Sequence, residues 1–174
     1  MKWFLRTLAV TAFFGGSNLA MAQDKKPDQK PFDDAEFVKM AASCNMHDVE
    51  LGKIVAATAK NADVRKFGEM LMAEHEQCLK DLRAVAASAG IPLPERMLEK
   101  HQNEVQQFRN YKGDSFDQEF LKHTIKDHEE GIQWAMRASK EAKNAQLKEL
   151  ATKGLPKLKE HLEQAKKLQE QIKL

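Results

Sequence analysis

From Asp34 to Ile172 the apolar residues recur every three or four positions, and no stretch alternates polar with apolar as a half-buried strand would. The spacing predicts a first helix over about 34–59, with an inward stripe of Phe37, Ala41, Cys44, Asp48, Leu51 and Val55. A second is predicted over about 63–89, on Phe67, Leu71, His75, Cys78, Leu82 and Val85. Asn61 is expected to take a left-handed cap between them and Asp63 to start the second helix, closing a tight antiparallel hairpin. Gly90, with Pro92 and Pro94, ends it. Residues 94–111 read as a further amphipathic helix carrying Met97, Leu98, His101, Val105 and Phe108. A helix over about 115–142 follows, on Phe120, Leu121, Thr124, His128, Ala135 and Ala138. The last, over about 145–172, uses Leu147, Ala151, Leu158, His161, Ala165 and Leu168, and Pro156 is expected to bend it.

The tetrapeptide Ala59-Lys60-Asn61-Ala62 recurs as Ala142-Lys143-Asn144-Ala145, and both copies fall where the pattern demands a turn. Two antiparallel hairpins joined by a long helical crossover make an all-α, ferritin-like four-helix bundle, expected over residues 34–174.

The first residues change the picture of where this bundle works. Lys2 and Arg6, an apolar stretch from Thr7 to Phe14, and Ala20-Met21-Ala22 have the form of a signal peptide over residues 1–22, with cleavage after Ala22. The apolar run is far short of the roughly 20 residues a spanning helix needs. Export to the periplasm or cell envelope, with no membrane span, is the expectation. Residues 23–33, polar and carrying two prolines, read as a flexible tether. Loss of residues 1–22 removes two of the 28 lysines and arginines and none of the 26 acids, leaving 26 of each sign and no net charge with histidine neutral. That balance gives no basic patch for nucleic acid. It leaves open an envelope protein partner or a homo-oligomer.

Counted from the tips, the polar residues on the apolar stripes fall at one depth. His47 lies fourteen residues before Asn61 and His75 fourteen after it; His128 lies sixteen before Asn144 and His161 seventeen after. Asp48 adds a carboxylate on the first helix. A buried imidazole must be hydrogen-bonded, paired or bound to metal. Asp48, His75, His128, His161 and His47 are therefore candidate ligands for zinc, copper, iron or manganese. The alternative is a mutually hydrogen-bonded layer that fixes helix register. The acids of Glu74-His75, Asp127-His128 and Glu160-His161 are expected as solvated flanks, the alternative being that each orients an imidazole from outside, and His101 and His123 as surface or packing residues.

Cys44 and Cys78 each lie seventeen residues from Asn61, within a C-x-x-H (Cys44 to His47) and an H-x-x-C (His75 to Cys78). Export favours a Cys44 to Cys78 disulfide over a Cys2His2 metal site, and the small neighbours Ala41 and Ser43 suit the close approach a bridge needs.

The segments FVKMAASCNMHDVELGKIVAATA, DVRKFGEMLMAEHEQCLKDLRAVAASAGIPLP, FDQEFLKHTIKDHEEGIQWA and LPKLKEHLEQAKKL resemble the exported ferritin-like domain often labelled predicted outer membrane protein, a domain of unknown function (number 4142). The resemblance runs over nearly all of residues 35–170. Its pattern of an acid in the first helix, a histidine after an acid in the second, Phe-Asp opening the next long helix, a histidine within it, and Leu-Pro then histidine in the last falls on Asp48, His75, Phe116-Asp117, His128, and Leu155-Pro156 with His161. Asp48 stands where the pattern has glutamate, and Cys44, His47 and Cys78 are additions to it. The resemblance implies a fold and a polar core, and no established activity.

The functional expectation is a periplasmic metal-binding protein linked to redox or stress handling, against a non-catalytic helical envelope protein. Di-iron bundle enzymes use Glu-x-x-His, and no histidine here has glutamate three residues before it. That disfavours a carboxylate-rich ferroxidase. No nucleophile motif such as G-x-S-x-G supports a hydrolase.

Overall fold

A computed structural model describes residues 30–111, 113 and 115–172, and the expected signal peptide with most of the tether lies outside the described residues. The described chain is all-helical, with five helices and no strand: α1 (Asp34–Thr58), α2 (Ala62–Ser88), α3 (Glu99–Asn110), α4 (Phe116–Glu141) and α5 (Ala145–Ile172). None of them is long and apolar enough to cross a membrane. α1 packs most extensively on α2 and α4 on α5, while α3 lies against α1.

Fold and tether meet earlier than expected. Phe32 is buried against Phe37 (ring centroids 5.7 Å apart) under the Arg137 guanidinium, and the Asp33 carboxylate caps α1 by accepting from the backbone N–H of Ala35 and Glu36. An aromatic ring buries more apolar area than the polar residues around it cost to order, so the packed chain begins by Phe32.

At the first tip Asn61 is not left-handed: its φ of −76° and ψ of 128° place it as the N-cap of α2, where its side chain accepts from Asp63 and Val64. Asn144 does the same for α5, accepting from Gln146 and Leu147. An asparagine oxygen already in reach of two orphan amides stabilises more than a strained backbone would. Among the described residues the left-handed one is Gly90, at φ 68°, where the Ile91 N–H reaches back to the Ala86 carbonyl and closes α2.

Each tip is tied down by the other hairpin. Asp117, at the start of α4, accepts from the backbone N–H of Lys60 (3.1 Å) and Asn61 (2.7 Å). Asp34, at the start of α1, accepts from Lys143 (3.0 Å) and Asn144 (2.8 Å). The two hairpins therefore lie tip to base against each other.

α1 and α2 approach closely at glycine. A Cβ on Gly52 would sit 2.6 Å from the Gly68 carbonyl oxygen, and one on Gly68 would sit 2.7 Å from Val55 Cγ1. The crossover helix starts at Glu99, five residues later than the pattern suggested, because Pro92 and Pro94 precede it and the Leu98 N–H is taken by Ser43 Oγ at 2.8 Å. α5 runs unbroken through Pro156.

The apolar core is in two pieces. One holds Leu51, Val55, Phe67, Leu71, Phe120 and Leu168; the other holds Phe37, Val38, Leu82, Ala138, Leu147 and Ala151. On every long helix a buried histidine lies between these sets: His47, His75, His128 and His161.

Candidate metal centre

Three imidazoles, His75 from α2, His128 from α4 and His161 from α5, meet in the layer between the two cores, all buried, with ring centroids 5.3 to 5.7 Å apart. One ring nitrogen of each lies within 4.8 Å of the others. What turns those nitrogens inward is the partner held by the opposite nitrogen. The Asn45 amide donates to the Ala41 carbonyl at 2.7 Å, which leaves its oxygen facing His75 Nδ1 at 2.9 Å. His128 Nδ1 donates to the Thr124 carbonyl at 3.0 Å. His161 Nε2 donates to Glu74 Oε2 at 3.2 Å, a carboxylate that Lys157 also holds.

An acceptor at one nitrogen places the proton there, so the other carries a lone pair. His75 Nε2, His128 Nε2 and His161 Nδ1 are the three left over. His75 Nε2 is buried without a hydrogen-bond partner, and His128 Nε2 faces His161 Nδ1 at 3.3 Å, lone pair against lone pair. Burial pushes the pKa of all three rings below the ordinary histidine value, which keeps them neutral, the form that ligates metal.

Asp48 does not join this group. Its carboxylate lies between two histidines, Oδ2 at 3.4 Å from His75 Nδ1 and Oδ1 at 3.5 Å from His47 Nδ1. Burial would raise its pKa, but the imidazoles of His75, His47 and His128 hold it well below the usual carboxylate range. It is thus an ionised group that orients rings from behind.

His47, fully buried, faces away from the three imidazoles. It meets Glu104 of α3 and His123 and Asp127 of α4 in a second group whose ligand atoms also fall within 4.8 Å of one another. The face of α1 carrying Ser43 and His47 is buried because α3 covers it; Ser43 Oγ bonds His101 Nδ1 at 2.6 Å and pins the crossover there. His101 is consequently a buried docking residue and His123 a member of a cluster, where the sequence suggested surface or packing positions. Two of the three acids expected as solvated flanks also face the layer: Glu74 bonds His161 across helices, and Asp127 lies 3.3 Å from His123. The pairs His101 with Glu104 and His123 with Asp127, at i,i+3 and i,i+4, were the available signal.

The cysteines are a correction. Cys44 and Cys78 are free thiols, and among the described residues neither belongs to a metal-ligating group. Equal distance from the tip fixed their depth but not their approach: the close contact between α1 and α2 is at Gly52 and Gly68, and Asn45 rather than a cysteine reaches from α1 to His75. Burial, with Asp48 nearby, pushes the Cys44 thiol up to about 12, and burial also raises Cys78. Both line a cavity of about 230 Å³ together with His75, His128, His161 and Trp134.

Fold and site define a class: an all-helical domain whose core is interrupted by a layer of histidines and carboxylates, in two groups with the composition of metal ligands. The chain belongs to the family described as domain of unknown function (DUF4142), whose family model matches residues 17–168. Among solved structures it is similar to one described as the crystal structure of a DUF305 fragment from Deinococcus radiodurans, with a TM-score of 0.69 and 12% identity over 82% of this chain and 99% of that one. At that identity the likeness is one of fold. No curated protein matches the chain.

Proposed function

We propose that this is an exported, ferritin-like protein of the periplasm or cell envelope that binds a transition metal ion through His75, His128 and His161. The observation that carries the reading is the arrangement of the three rings, each fixed through its outer nitrogen by Asn45, the Thr124 carbonyl or Glu74, so that three unprotonated nitrogens converge. Outer partners of this kind set the tautomer and raise ligand basicity in metal sites. Three neutral nitrogens leave a further coordination position for water or an exogenous ligand, and the cavity lined by the same histidines gives it room. With copper, iron or manganese such a centre supports redox chemistry; with zinc it supplies a Lewis acid.

The test is metal content and metal-dependent stability of purified protein. Zinc or copper supplied at about a hundred times its dissociation constant raises unfolding free energy by about 2.7 kcal/mol if it binds only the folded chain. His161→Ala and His128→Ala should each remove one equivalent of metal and the part of that gain this centre supplies. No metal taken up and no shift in melting temperature would leave the layer a hydrogen-bonded spacer in a non-catalytic helical protein.

A further inference from the structure

We propose that His47, His123, Glu104 and Asp127 form a second metal site, of two imidazoles and two carboxylates, for a divalent ion of borderline hardness such as zinc. The site is separate from the three-imidazole centre and does not rest on it. Its four residues come from three helices: α1 supplies His47, α3 Glu104, and α4 both His123 and Asp127.

Spacing is the main argument. His47 Nε2 lies 3.4 Å from His123 Nε2 and 3.5 Å from Glu104 Oε2, and Asp127 Oδ2 lies 3.3 Å from His123 Nε2. A tetrahedral ion with bonds of about 2.0–2.1 Å to nitrogen and oxygen holds its ligands about 3.3–3.5 Å apart. Charge-assisted hydrogen bonds between the same groups would close to about 2.7–2.9 Å. Some pairs elsewhere in this protein do, Arg109 with Glu50 at 2.6 Å and Lys53 with Glu50 at 2.9 Å, while others such as Lys166 with Glu129 stay at 3.3 Å. The cluster keeps ligand-to-ligand distances instead.

An unsatisfied atom is the second argument. Glu104 Oε2, which faces His47 Nε2, is buried without a hydrogen-bond partner on a half-buried glutamate. Such an orphan is costly in a folded protein and calls for a partner. The other oxygen of Glu104 faces Lys100 at 4.0 Å, which leaves Oε2 for the interior.

Charge is the third. Asp48, Glu104 and Asp127, three carboxylates, each lie within 3.5 Å of the imidazole of His47 or His123. The pocket is thus built for positive charge, and a dication meets that need without asking an imidazole to hold an extra proton. The donor set also differs in kind from the all-nitrogen centre, and mixed imidazole and carboxylate ligands suit zinc, iron(II) and manganese.

The experiment is zinc stoichiometry of the purified full chain after loading and desalting, with circular dichroism to establish that each variant is folded. Wild type should hold two equivalents, and Glu104→Gln and His123→Gln one each. His161→Ala should hold one, and the combination His123→Gln/His161→Ala none. Two equivalents retained by both Glu104→Gln and His123→Gln would overturn the proposal. So would one equivalent in wild type that is lost in His161→Ala and kept in His123→Gln, a result that leaves the three-imidazole centre standing. If one substitution prevents folding, the other decides, since Glu104 and His123 are each partly solvent-facing and reside on different helices.

Discussion

Single side chains set the state of the layer from outside it. Asn45 holds the His75 ring and Glu74 the His161 ring, each through the nitrogen on the outer side. Asn45→Ala and Glu74→Gln should therefore leave the fold intact and weaken metal affinity at that centre by about 10- to 100-fold, as loss of outer partners does, measured by competition with a chromophoric chelator. Protons act at the same scale. Burial lowers the pKa of His75, His128, His161 and His101, while carboxylates raise that of His47. A lowered histidine leaves the unfolded chain binding more protons, so its stability is full above the ordinary value of 6.5 and is lost as pH falls below it. His47 runs the opposite way, with stability present below 6.5 and lost as pH rises through its higher folded value. Four oppose one, so metal-free protein should lose stability on acidification from about pH 7.5 to 5, by about 1.4 kcal/mol per pH unit for each net proton taken up only on unfolding. Urea midpoints at the two pH values decide it, and a midpoint that rises in acid would contradict the neutral-imidazole layer.

At the scale of helices, glycines separate two kinds of position that sequence treats alike. Gly52→Ala must push its methyl into the Gly68 backbone oxygen at 2.6 Å and Met72 Cβ at 2.9 Å, so α1 and α2 have to part, at a cost of about 1–3 kcal/mol. Gly131→Ala meets nothing within 4 Å and should stabilise α4 by about 0.5–1 kcal/mol. Thermal melts of both variants test the pair, and equal effects would contradict the packing. The helices themselves were legible because apolar residues at three and four spacing survive any arrangement that buries them, and every long helix falls within a residue or two of its expected bounds. The face of α1 was not. Its stripe was drawn through Cys44 and Asp48, yet Ser43 and His47 are the deeper pair, because α3 covers a second side of α1 and periodicity within one helix cannot report what a distant segment covers. Glu104 escaped notice for the same reason: it is polar, on the crossover, and meaningful only once α3 is docked.

For the molecule as a whole, the exchange of aspartates between hairpins is the tie that has no counterpart within either hairpin. Asp34→Ala and Asp117→Ala each strand two backbone N–H groups at a tip and should cost about 1–3 kcal/mol. Because they act at opposite ends, their effects should add in the double variant to within about 0.5 kcal/mol, measured by chemical denaturation. That exchange also exposes a relation between the halves. Asp34 and Asp117, Asn61 and Asn144, Phe37 and Phe120, and Val64 and Leu147 are each 83 residues apart, so one hairpin is repeated by the other and the pair mates as two subunits of a self-complementary dimer would. At the depth of the histidine layer the same shift sets Cys44 against Asp127, Asn45 against His128 and Cys78 against His161. The scaffold is a duplicate and the chemistry is where the copies diverge: thiols and an amide in the first half stand at the places that carry a carboxylate and two imidazoles in the second.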